Sequence, residues 1–389
     1  MPTPSDAPIR RREDFLVFGA PAIEEAEIQE VVATLRSGWL GTGPRVARFE
    51  REFADYKGVQ SAAAVNSCTA ALHLALLALQ LEPGDEVITT ALTFCASVNA
   101  IIHAGAKPVL ADVDAATMNL DPADVRRKLT PRTRALLPVH FAGRPCDMGA
   151  LQAIAEQHGL RVVEDCAHAI EAEYHGRKAG TFGDFGCFSF YVTKNVATGE
   201  GGMLLARREE DLARAKVLGL HGMSKDAWKR FGDEGYKHYQ VVDAGFKYNM
   251  MDLQAAIGIH QLQRVESNWR RRRDIWRRYN EAFRGLPLGL PAEPEPGTRH
   301  GHHLYTLLVD ERDAFLDAMT AHNIGVGVHY LAIPEHPYYR EAFGWRPEDF
   351  PNAMRIGRRT VSIPLSPSLA DKDVDDVIAA VTRIVRRGR

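Results

Sequence analysis

One lysine, Lys194, stands between an aromatic run with the character of a β-strand and a glycine-rich turn. The run reads Phe185-Gly-Cys-Phe-Ser-Phe-Tyr191, and the turn reads Gly199-Glu-Gly-Gly202. Aromatic and β-branched neighbours desolvate an ammonium group and lower its pKa, which makes a lysine an amine nucleophile near neutral pH. The alternative is a lysine that extends from a strand end into solvent.

A second segment, Arg161-Val-Val-Glu-Asp-Cys-Ala-His168, predicts a short apolar strand that ends on acidic and small residues. Its Asp165 lies 29 residues before Lys194. Ligands bind at strand ends in α/β proteins. Pyridoxal phosphate requires a lysine for its Schiff base and an acid at its pyridinium nitrogen, so Asp165 and Lys194 together indicate this cofactor.

A third segment predicts a phosphate site. In Ser61–Ala78 a strand of small residues runs into an apolar helix, and Asn66, Ser67 and Thr69 lie at the junction. Free backbone N–H groups and the helix dipole make such a junction an anion site. The alternative is that Ser67 or Thr69 only caps the helix.

The motifs together resemble the DegT/DnrJ/EryC1/StrS family of nucleotide-sugar aminotransferases, in the family's order and over nearly the whole chain. The resemblance implies a fold-type I aminotransferase, in which a large domain with a mainly parallel seven-stranded sheet binds pyridoxal phosphate and a smaller C-terminal α/β domain follows. We assign residues 1–14 to a loose N-terminus, 15–265 to the large domain and 266–389 to the small one. The motifs are Ser37-Gly-Trp-Leu-Gly-Thr-Gly-Pro44, Asn66-Ser-Cys-Thr-Ala-Ala71, Glu164-Asp-Cys-Ala-His168, Phe188-Ser-Phe-Tyr-Val-Thr-Lys-Asn195, Gly199-Glu-Gly-Gly202 and Gly245-Phe-Lys-Tyr-Asn-Met250.

The resemblance also implies a role for each matching residue, and it makes a homodimer with shared active sites the minimum active unit. The implied roles are Lys194 as Schiff-base lysine and proton shuttle, Asp165 as pyridinium partner, Phe94 and Ala167 on the two ring faces, His168 beside the ring, Ser189 with the Cys68–Thr69 backbone at the phosphate, and Asn249 reaching the phosphate of the neighbouring subunit. Phe94 and His168 have alternative interpretations as a core aromatic and a hydrogen-bonded core histidine.

The substrate is encoded less specifically. Trp39 to Thr42 and His329-Tyr330 match loops that the family places near the sugar and the nucleotide. The segments 221–230 and 239–249 resemble the branch that aminates C4 of UDP-linked 4-keto sugars. Sugars linked to dTDP or GDP, and 3-keto sugars, stay as alternatives. The expected amino donor is L-glutamate, which converts the cofactor to pyridoxamine phosphate.

Two rival functions remain. A sister branch dehydrates 4-keto sugars with pyridoxamine phosphate, but it carries histidine where this chain has Lys194. A sensor or regulatory protein could keep the fold and bind the cofactor without turnover. The sequence contains nothing that resembles a DNA-binding helix pair, and its catalytic set is intact.

Composition is consistent with an enzyme of this kind. The 389 residues include 45% hydrophobic side chains, enough for one large core and a smaller second unit. The 48 basic and 50 acidic side chains give a net charge of −2, so charge does not favour a nucleic-acid or membrane partner. No apolar run of about 18 residues occurs. We expect a cytoplasmic protein without a metal site, because the five cysteines, Cys68, Cys95, Cys146, Cys166 and Cys187, are scattered and lack metal-site spacing.

Apolar strand candidates alternate with helical patterns, which predicts a mainly parallel sheet covered by helices. A helical stretch, Asp252 to Phe283, then leads into a second unit that contains Leu304–Val309 and Asp371–Val385, with a loop at Pro291–Gly297. The predicted strands of the large domain lie near 61–66, 86–90, 107–112, 134–140, 161–164, 185–191 and 202–206, and a representative helix lies at 149–158.

Overall fold

A computed structural model describes residues 11–224 and 239–387 of the chain. Within them the large sheet has seven strands, and two small sheets have three and two strands. The strands are β1 (Ala62–Val65), β2 (Glu86–Thr90), β3 (Lys107–Ala111), β4 (Thr133–Leu137), β5 (Arg161–Asp165), β6 (Glu173–Tyr174), β7 (Arg177–Lys178), β8 (Phe185–Ser189), β9 (Gly202–Ala206), β10 (Thr298–Arg299), β11 (Tyr305–Leu308) and β12 (Thr360–Ile363).

The large sheet has the strand order β1-β9-β8-β5-β4-β2-β3. Strands β3, β2, β4, β5 and β8 run parallel, whereas β9 is antiparallel to both β8 and β1. All seven predicted strands are present, and the mainly parallel sheet is confirmed. The strands are almost entirely buried, as expected of a sheet with helices on both faces.

Helices cover this sheet and build the C-terminal unit. The predicted helix at 149–158 is α6, which starts after the Asp147 cap and ends before Gly159 in the left-handed conformation. The α-helices are α1 (Glu25–Ser37), α2 (Pro44–Lys57), α3 (Cys68–Ala78), α4 (Cys95–His103), α5 (Pro122–Lys128), α6 (Met148–His158), α7 (Glu209–Leu218), α8 (Asp252–Gln263), α9 (Val265–Phe283), α10 (Arg312–Ala321), α11 (Pro337–Phe343), α12 (Pro351–Arg359) and α13 (Asp371–Arg387).

The predicted helical stretch, Asp252 to Phe283, is helical and consists of two helices, α8 and α9. Arg264 lies between α8 and α9 and has φ −98° and ψ 1°, outside the regular α-helical values, so the helix is interrupted there. The predicted boundary between the domains, after residue 265, lies next to this interruption and stays a prediction. After it, β11 and β12 pair antiparallel, and a separate apolar core joins them to α9, α10 and α13.

The first described residues pack against the C-terminal unit. Arg12 forms an ion pair with Asp373 of α13 at 2.8 Å. Leu16, which the predicted boundaries give to the large domain, donates its N–H to the Asn323 carbonyl at 2.9 Å and accepts from Gly325 N–H at 2.8 Å. Residues 1–10 of the predicted loose N-terminus lie outside the described residues. Across the described ranges, every helix is too short or too polar to cross a bilayer.

Candidate active site

The strand register brings the predicted cofactor residues to one edge of the sheet. Asp165, the last residue of β5, pairs with Cys187 of β8. Two residues further along β8, Ser189 pairs with Gly202 of β9, and Gly202 pairs with Val65 at the end of β1. These paired residues form a row across the strand ends. The row leads from Asp165, the predicted pyridinium partner, to the start of helix α3, where the phosphate site is predicted.

Lys194 lies in the irregular segment after β8 and donates its backbone N–H to the Tyr191 carbonyl at 2.8 Å. Its side chain is half-buried. Burial lowers the pKa of Lys194 to about 8, although the nearby Cys68 and Asp165 side chains act in the opposite direction. The Lys194 ammonium in turn helps to lower the pKa of three neighbouring imidazoles, those of His168, His303 and His329.

Asp165 is buried, and the hydrogen bonds it accepts within the described residues come from neutral groups. Oδ2 accepts from the Ser97 hydroxyl at 2.8 Å and Oδ1 from the Ala167 N–H at 3.1 Å, while the Cys68 Sγ lies 4.0 Å from Oδ1. Burial raises the pKa of Asp165, and the bonds from Ala167 and Ser97 offset this only in part. A protonated ring nitrogen would supply the cationic partner that favours the carboxylate.

The start of α3 lies at this end of the row, and the anion site predicted there stays a prediction. Ser67 is the N-cap, and its hydroxyl accepts the Ala70 N–H at 3.1 Å, so Ser67 caps the helix whether or not the turn also binds an anion. Cys68 and Thr69 form the first turn. A Cβ on Gly202 would lie 2.5 Å from the Ser67 carbonyl carbon and 2.7 Å from the Cys68 nitrogen, so only glycine allows β9 to pass so close to this turn.

Asn249 lies beside the same end of β1, where its backbone forms a bridge with Val65. Its Nδ2 donates to the Thr42 hydroxyl at 2.7 Å, and its buried Oδ1 has no partner within the described residues. The Trp39 indole donates to the Thr42 carbonyl at 3.2 Å, which ties the predicted substrate loop to Asn249. The predicted role of Asn249 in a neighbouring subunit stays a prediction.

Another side of the site is formed by residues from both the large domain and the C-terminal unit. His168 Nδ1 accepts the Ala142 N–H at 3.2 Å, so Nε2 carries the proton and donates to the Tyr330 hydroxyl at 3.0 Å. The Phe94 ring, 57% exposed, lies 5.9 Å from the Tyr330 ring. His329 Nδ1 lies 2.8 Å from the Ser362 hydroxyl on β12. The structure thus brings Phe94, His168, His329 and Tyr330 together.

The sequence interpretation missed several residues that contact the predicted set. Ser97 was visible as the polar residue on the first turn of α4, three positions after Phe94, but nothing in the sequence placed it against Asp165. Asn195 bonds to Glu171 and His303 through contacts that join distant segments. Such contacts leave no local signal.

One group of metal-ligand side chains lies behind Asp165 in the described part of the chain: His140, Glu164 and Cys166. The His140 Nδ1 accepts the Cys146 N–H at 3.0 Å, and Nε2 lies 3.0 Å from Glu164 Oε2. Glu164 also accepts two backbone N–H groups, those of Gly180 and Gly183. These bonds already occupy the His140 nitrogens and both Glu164 oxygens, so the group is interpreted as a polar support for the β4 and β5 ends.

The fold and this site define the class of protein. A mainly parallel seven-stranded sheet with a lysine and an aspartate at its strand ends is the arrangement of a fold-type I aminotransferase. The family model of the DegT/DnrJ/EryC1/StrS aminotransferase family matches residues 21–382, and the chain belongs to this family. The predictions of family, fold type and enzyme class are confirmed.

Relatives and solved structures agree with that placement. The spore coat polysaccharide biosynthesis protein SpsC of Bacillus subtilis is 51% identical over 386 residues, which cover 97% of this chain and 99% of SpsC. Spr1654 of Streptococcus pneumoniae, named for a sugar aminotransferase activity, is similar in its PMP form with a TM-score of 0.91, 33% identity and coverage of 96% of this chain and 99% of that one. It is also solved in a PLP form.

Helicobacter pylori PseC, an aminotransferase involved in the biosynthesis of pseudoaminic acid, is similar with a TM-score of 0.88 and 25% identity. The similarity covers 96% of this chain and 100% of that chain. The PLP and PMP forms of the pneumococcal protein agree with the cofactor that the sequence predicts for this chain.

Proposed function

We propose that this protein transfers an amino group from L-glutamate to a keto sugar carried on a nucleotide, with pyridoxal phosphate as its cofactor. The observation that carries the proposal is the pair formed by Lys194 and Asp165 at the strand ends. The pKa of the lysine is lowered to about 8 by burial, and the pKa of the acid is raised by burial. Paired titratable groups with perturbed pKa values at strand ends are typical of a catalytic site.

The residues fit pyridoxal phosphate in three respects. Asp165 is a buried carboxylate whose hydrogen bonds come from neutral donors, so it suits a protonated pyridine nitrogen. Phe94 exposes an aromatic ring beside the site, which suits stacking on a flat heterocycle. The row of paired residues from Ser189 through Gly202 to the first turn of α3, with the N–H groups of that turn, suits a phosphate.

When bound, the cofactor supplies an aldehyde that accepts and returns the amino group and a ring that withdraws electrons from the reacting carbon. Lys194 would hold the cofactor covalently, and once displaced its amine, with a pKa lowered to about 8, would take and return the proton of the reacting carbon. Asp165 would hold the ring nitrogen protonated. Ser189 and the Cys68–Thr69 backbone would hold the phosphate.

For the substrate, we propose a UDP-linked 4-keto-hexose. Support comes from the resemblance of segments 221–230 and 239–249 to that branch, of which residues 225–238 lie outside the described residues. The relationship to PseC, named for pseudoaminic acid biosynthesis, also supports an amino-sugar product. The side chains proposed to contact the sugar and nucleotide are Trp39, Thr42, His329 and Tyr330. Sugars linked to dTDP or GDP, and 3-keto sugars, are the competing substrates.

We further propose that the active unit is a homodimer. Support comes from large apolar side chains that the single chain leaves exposed along α1 and around the start of α8. Gly41, in the loop after α1, accepts the Asp252 N–H at 2.9 Å, so the loop that carries Trp39 and Leu40 lies beside the start of α8, and its Thr42 bonds to Asn249. Exposed apolar side chains favour self-association, and those of this loop lie near Asn249, the residue predicted to contact the cofactor of a second subunit. The exposed residues are Ile28, Leu35, Trp39, Leu40 and Met251.

The test is an assay of L-glutamate with a panel of keto nucleotide sugars, read by 2-oxoglutarate release and by mass spectrometry of the amino sugar. We expect turnover with a UDP-linked 4-keto-hexose and a loss on the order of 10²–10⁴-fold in Lys194→Ala. Borohydride reduction of the holoenzyme should fix the cofactor on Lys194. An adduct on another lysine would refute that assignment, and cofactor binding without turnover on any sugar would favour a sensor.

A further inference from the structure

Asn195, the residue after Lys194, is buried in a network that spans both units of the chain. Its Nδ2 donates to Glu171 Oε2 at 2.8 Å and to the Gly301 carbonyl at 3.0 Å, and its Oδ1 lies 3.0 Å from His303 Nδ1. A carboxylate and a carbonyl only accept, which fixes the orientation of the amide. His303 must therefore carry its proton on Nδ1.

A buried ion pair holds the carboxylate that orients Asn195. Glu171, which follows β5, is fully buried, and Arg272 on α9 is 2% exposed. Arg272 Nη2 bonds to Glu171 Oε1, which leaves Oε2 for Asn195. Removing one partner of such a pair would leave an uncompensated buried charge, so the position of the carboxylate is strongly determined.

The backbone around Lys194 has little regular structure of its own. Between β8 and β9 the chain forms turns and bends. Within that segment, Lys194 N–H donates to the Tyr191 carbonyl and Thr198 N–H to the Phe190 carbonyl. The Asn195 side chain adds three bonds to groups outside the loop. Consecutive Cα atoms are about 3.8 Å apart, so fixing Asn195 also restricts Lys194.

We propose that Asn195 is a positioning residue that holds Lys194 in its desolvated place, with its carboxamide oriented by the Glu171–Arg272 pair of the two units. This inference deepens the proposed function, because it rests on Lys194 as the reacting amine. The network continues into the wall of the site, since the His303 ring lies 4.4 Å from the His168 ring. The C-terminal unit thereby acts on the lysine through side chains that do not touch the reacting atoms.

The test measures Lys194 itself. In the full-length protein freed of cofactor, the rate at which an amine reagent labels Lys194 is followed against pH by peptide mass spectrometry. The wild-type lysine should titrate near pH 8. In Asn195→Ala the lysine is held less firmly and is better hydrated. Its pKa should therefore rise by at least one unit, a tenfold change in proton affinity, towards the ordinary lysine range. In the reconstituted variant, the pH dependence of the visible band should shift as well, and turnover should fall at least tenfold.

Two controls separate positioning from general loss of stability. Asn280→Ala removes a half-buried amide of α9 that bonds to Tyr305 and Glu293, away from Lys194, and should leave the lysine titration unchanged. The double variant Glu171→Gln, Arg272→Gln removes both charges together yet keeps an amide oxygen facing Asn195. It should stay close to wild type in the lysine titration, because an oxygen that faces Asn195 Nδ2, and not its charge, is what orients the carboxamide.

Asn195→Ser keeps one donor and one acceptor and should give an intermediate shift in the pKa of Lys194. This variant replaces Asn195→Ala in the test if Asn195→Ala does not fold. The proposal is overturned if a folded Asn195→Ala or Asn195→Ser titrates like the wild type and like Asn280→Ala. Because labelling of Lys194 needs no substrate, this result is independent of the sugar assay. Failure of the proposed function would instead appear as wild-type protein that shows no turnover although its Lys194 titrates near pH 8, as expected.

Discussion

The hydroxyl of Ser97 donates to Oδ2 of Asp165 at 2.8 Å across the gap between α4 and β5. The same hydroxyl lies 2.9 Å from that of Thr93, so Ser97 can donate to the acid while it accepts from the threonine. This bond lowers the pKa of Asp165 against the larger opposing effect of burial. Ser97 therefore helps to keep the proposed ring-nitrogen partner ionised.

We predict that Ser97→Ala lowers kcat/KM roughly 10- to 100-fold, because a hydrogen bond to a charged group contributes about 1.5–3 kcal/mol. Without the bond the pKa of Asp165 rises further, so the acidic limb of the kcat/KM profile should move to higher pH. Thr89→Val is the matched control, since it removes a buried hydroxyl that bonds to the Leu137 carbonyl elsewhere in the sheet. An unshifted acidic limb in Ser97→Ala would contradict the assignment.

Asp165→Asn should separate stability from activity. Burial raises the pKa of Asp165, so the folded, cofactor-free protein binds this proton more tightly than the unfolded chain. The free energy of unfolding contributed by Asp165 is therefore present at low pH, and it is lost as the pH rises from the unfolded carboxyl pKa through the folded one.

We expect cofactor-free Asp165→Asn to melt at a higher temperature than wild type at pH 7 and at a similar temperature near pH 4, as measured by calorimetry. Turnover of the reconstituted variant should fall by several orders of magnitude, because the ring nitrogen loses its anionic partner. Near-normal turnover would show that another group faces the ring nitrogen.

Gly202→Ala should weaken cofactor binding. Its new Cβ would press on backbone atoms of Ser67 and Cys68, which cannot rotate away. Overpacking of this kind costs about 1–3 kcal/mol, so we expect a lower melting temperature and a cofactor dissociation constant raised about tenfold or more. Gly149→Ala on α6 is the control, because its nearest neighbour is the movable Tyr174 hydroxyl at 3.1 Å. Equal cofactor affinity in both variants would contradict a phosphate site at this turn.

Mixed dimers test whether Asn249 completes the site of its neighbour. Lys194→Ala and Asn249→Asp should each be nearly inactive as homodimers, the second because a carboxylate would face the cofactor phosphate at a cost of several kcal/mol, as an order-of-magnitude estimate. In a mixed dimer one site collects both changes and the other has neither. Co-refolding should therefore restore up to about half of the normal activity per dimer. Verified heterodimers that regain nothing, beside wild type that refolds well, would refute the shared site.

The sequence by itself determined the parts of this protein whose chemistry lies within short segments. Periodicity and motif spacing were sufficient to find features that depend on neighbouring residues. These are the positions of the seven strands along the chain, the Asp165 strand end, the Ser67–Thr69 helix start and the lysine after β8. The stretch from Asp252 to Phe283 is helical as predicted, but its interruption at Arg264 was not predicted, because the residues on both sides form helices well.

Only the tertiary structure decided which distant side chains support the site. Ser97 reaches Asp165 across 68 residues of sequence, Asn195 reaches His303 across 108, and Arg272 reaches Glu171 across 101. A serine, an arginine or a histidine has the same local pattern whether it faces solvent or a buried carboxylate. Their roles follow from the burial and register that arise when the strands and the two units pack, which the local sequence does not specify.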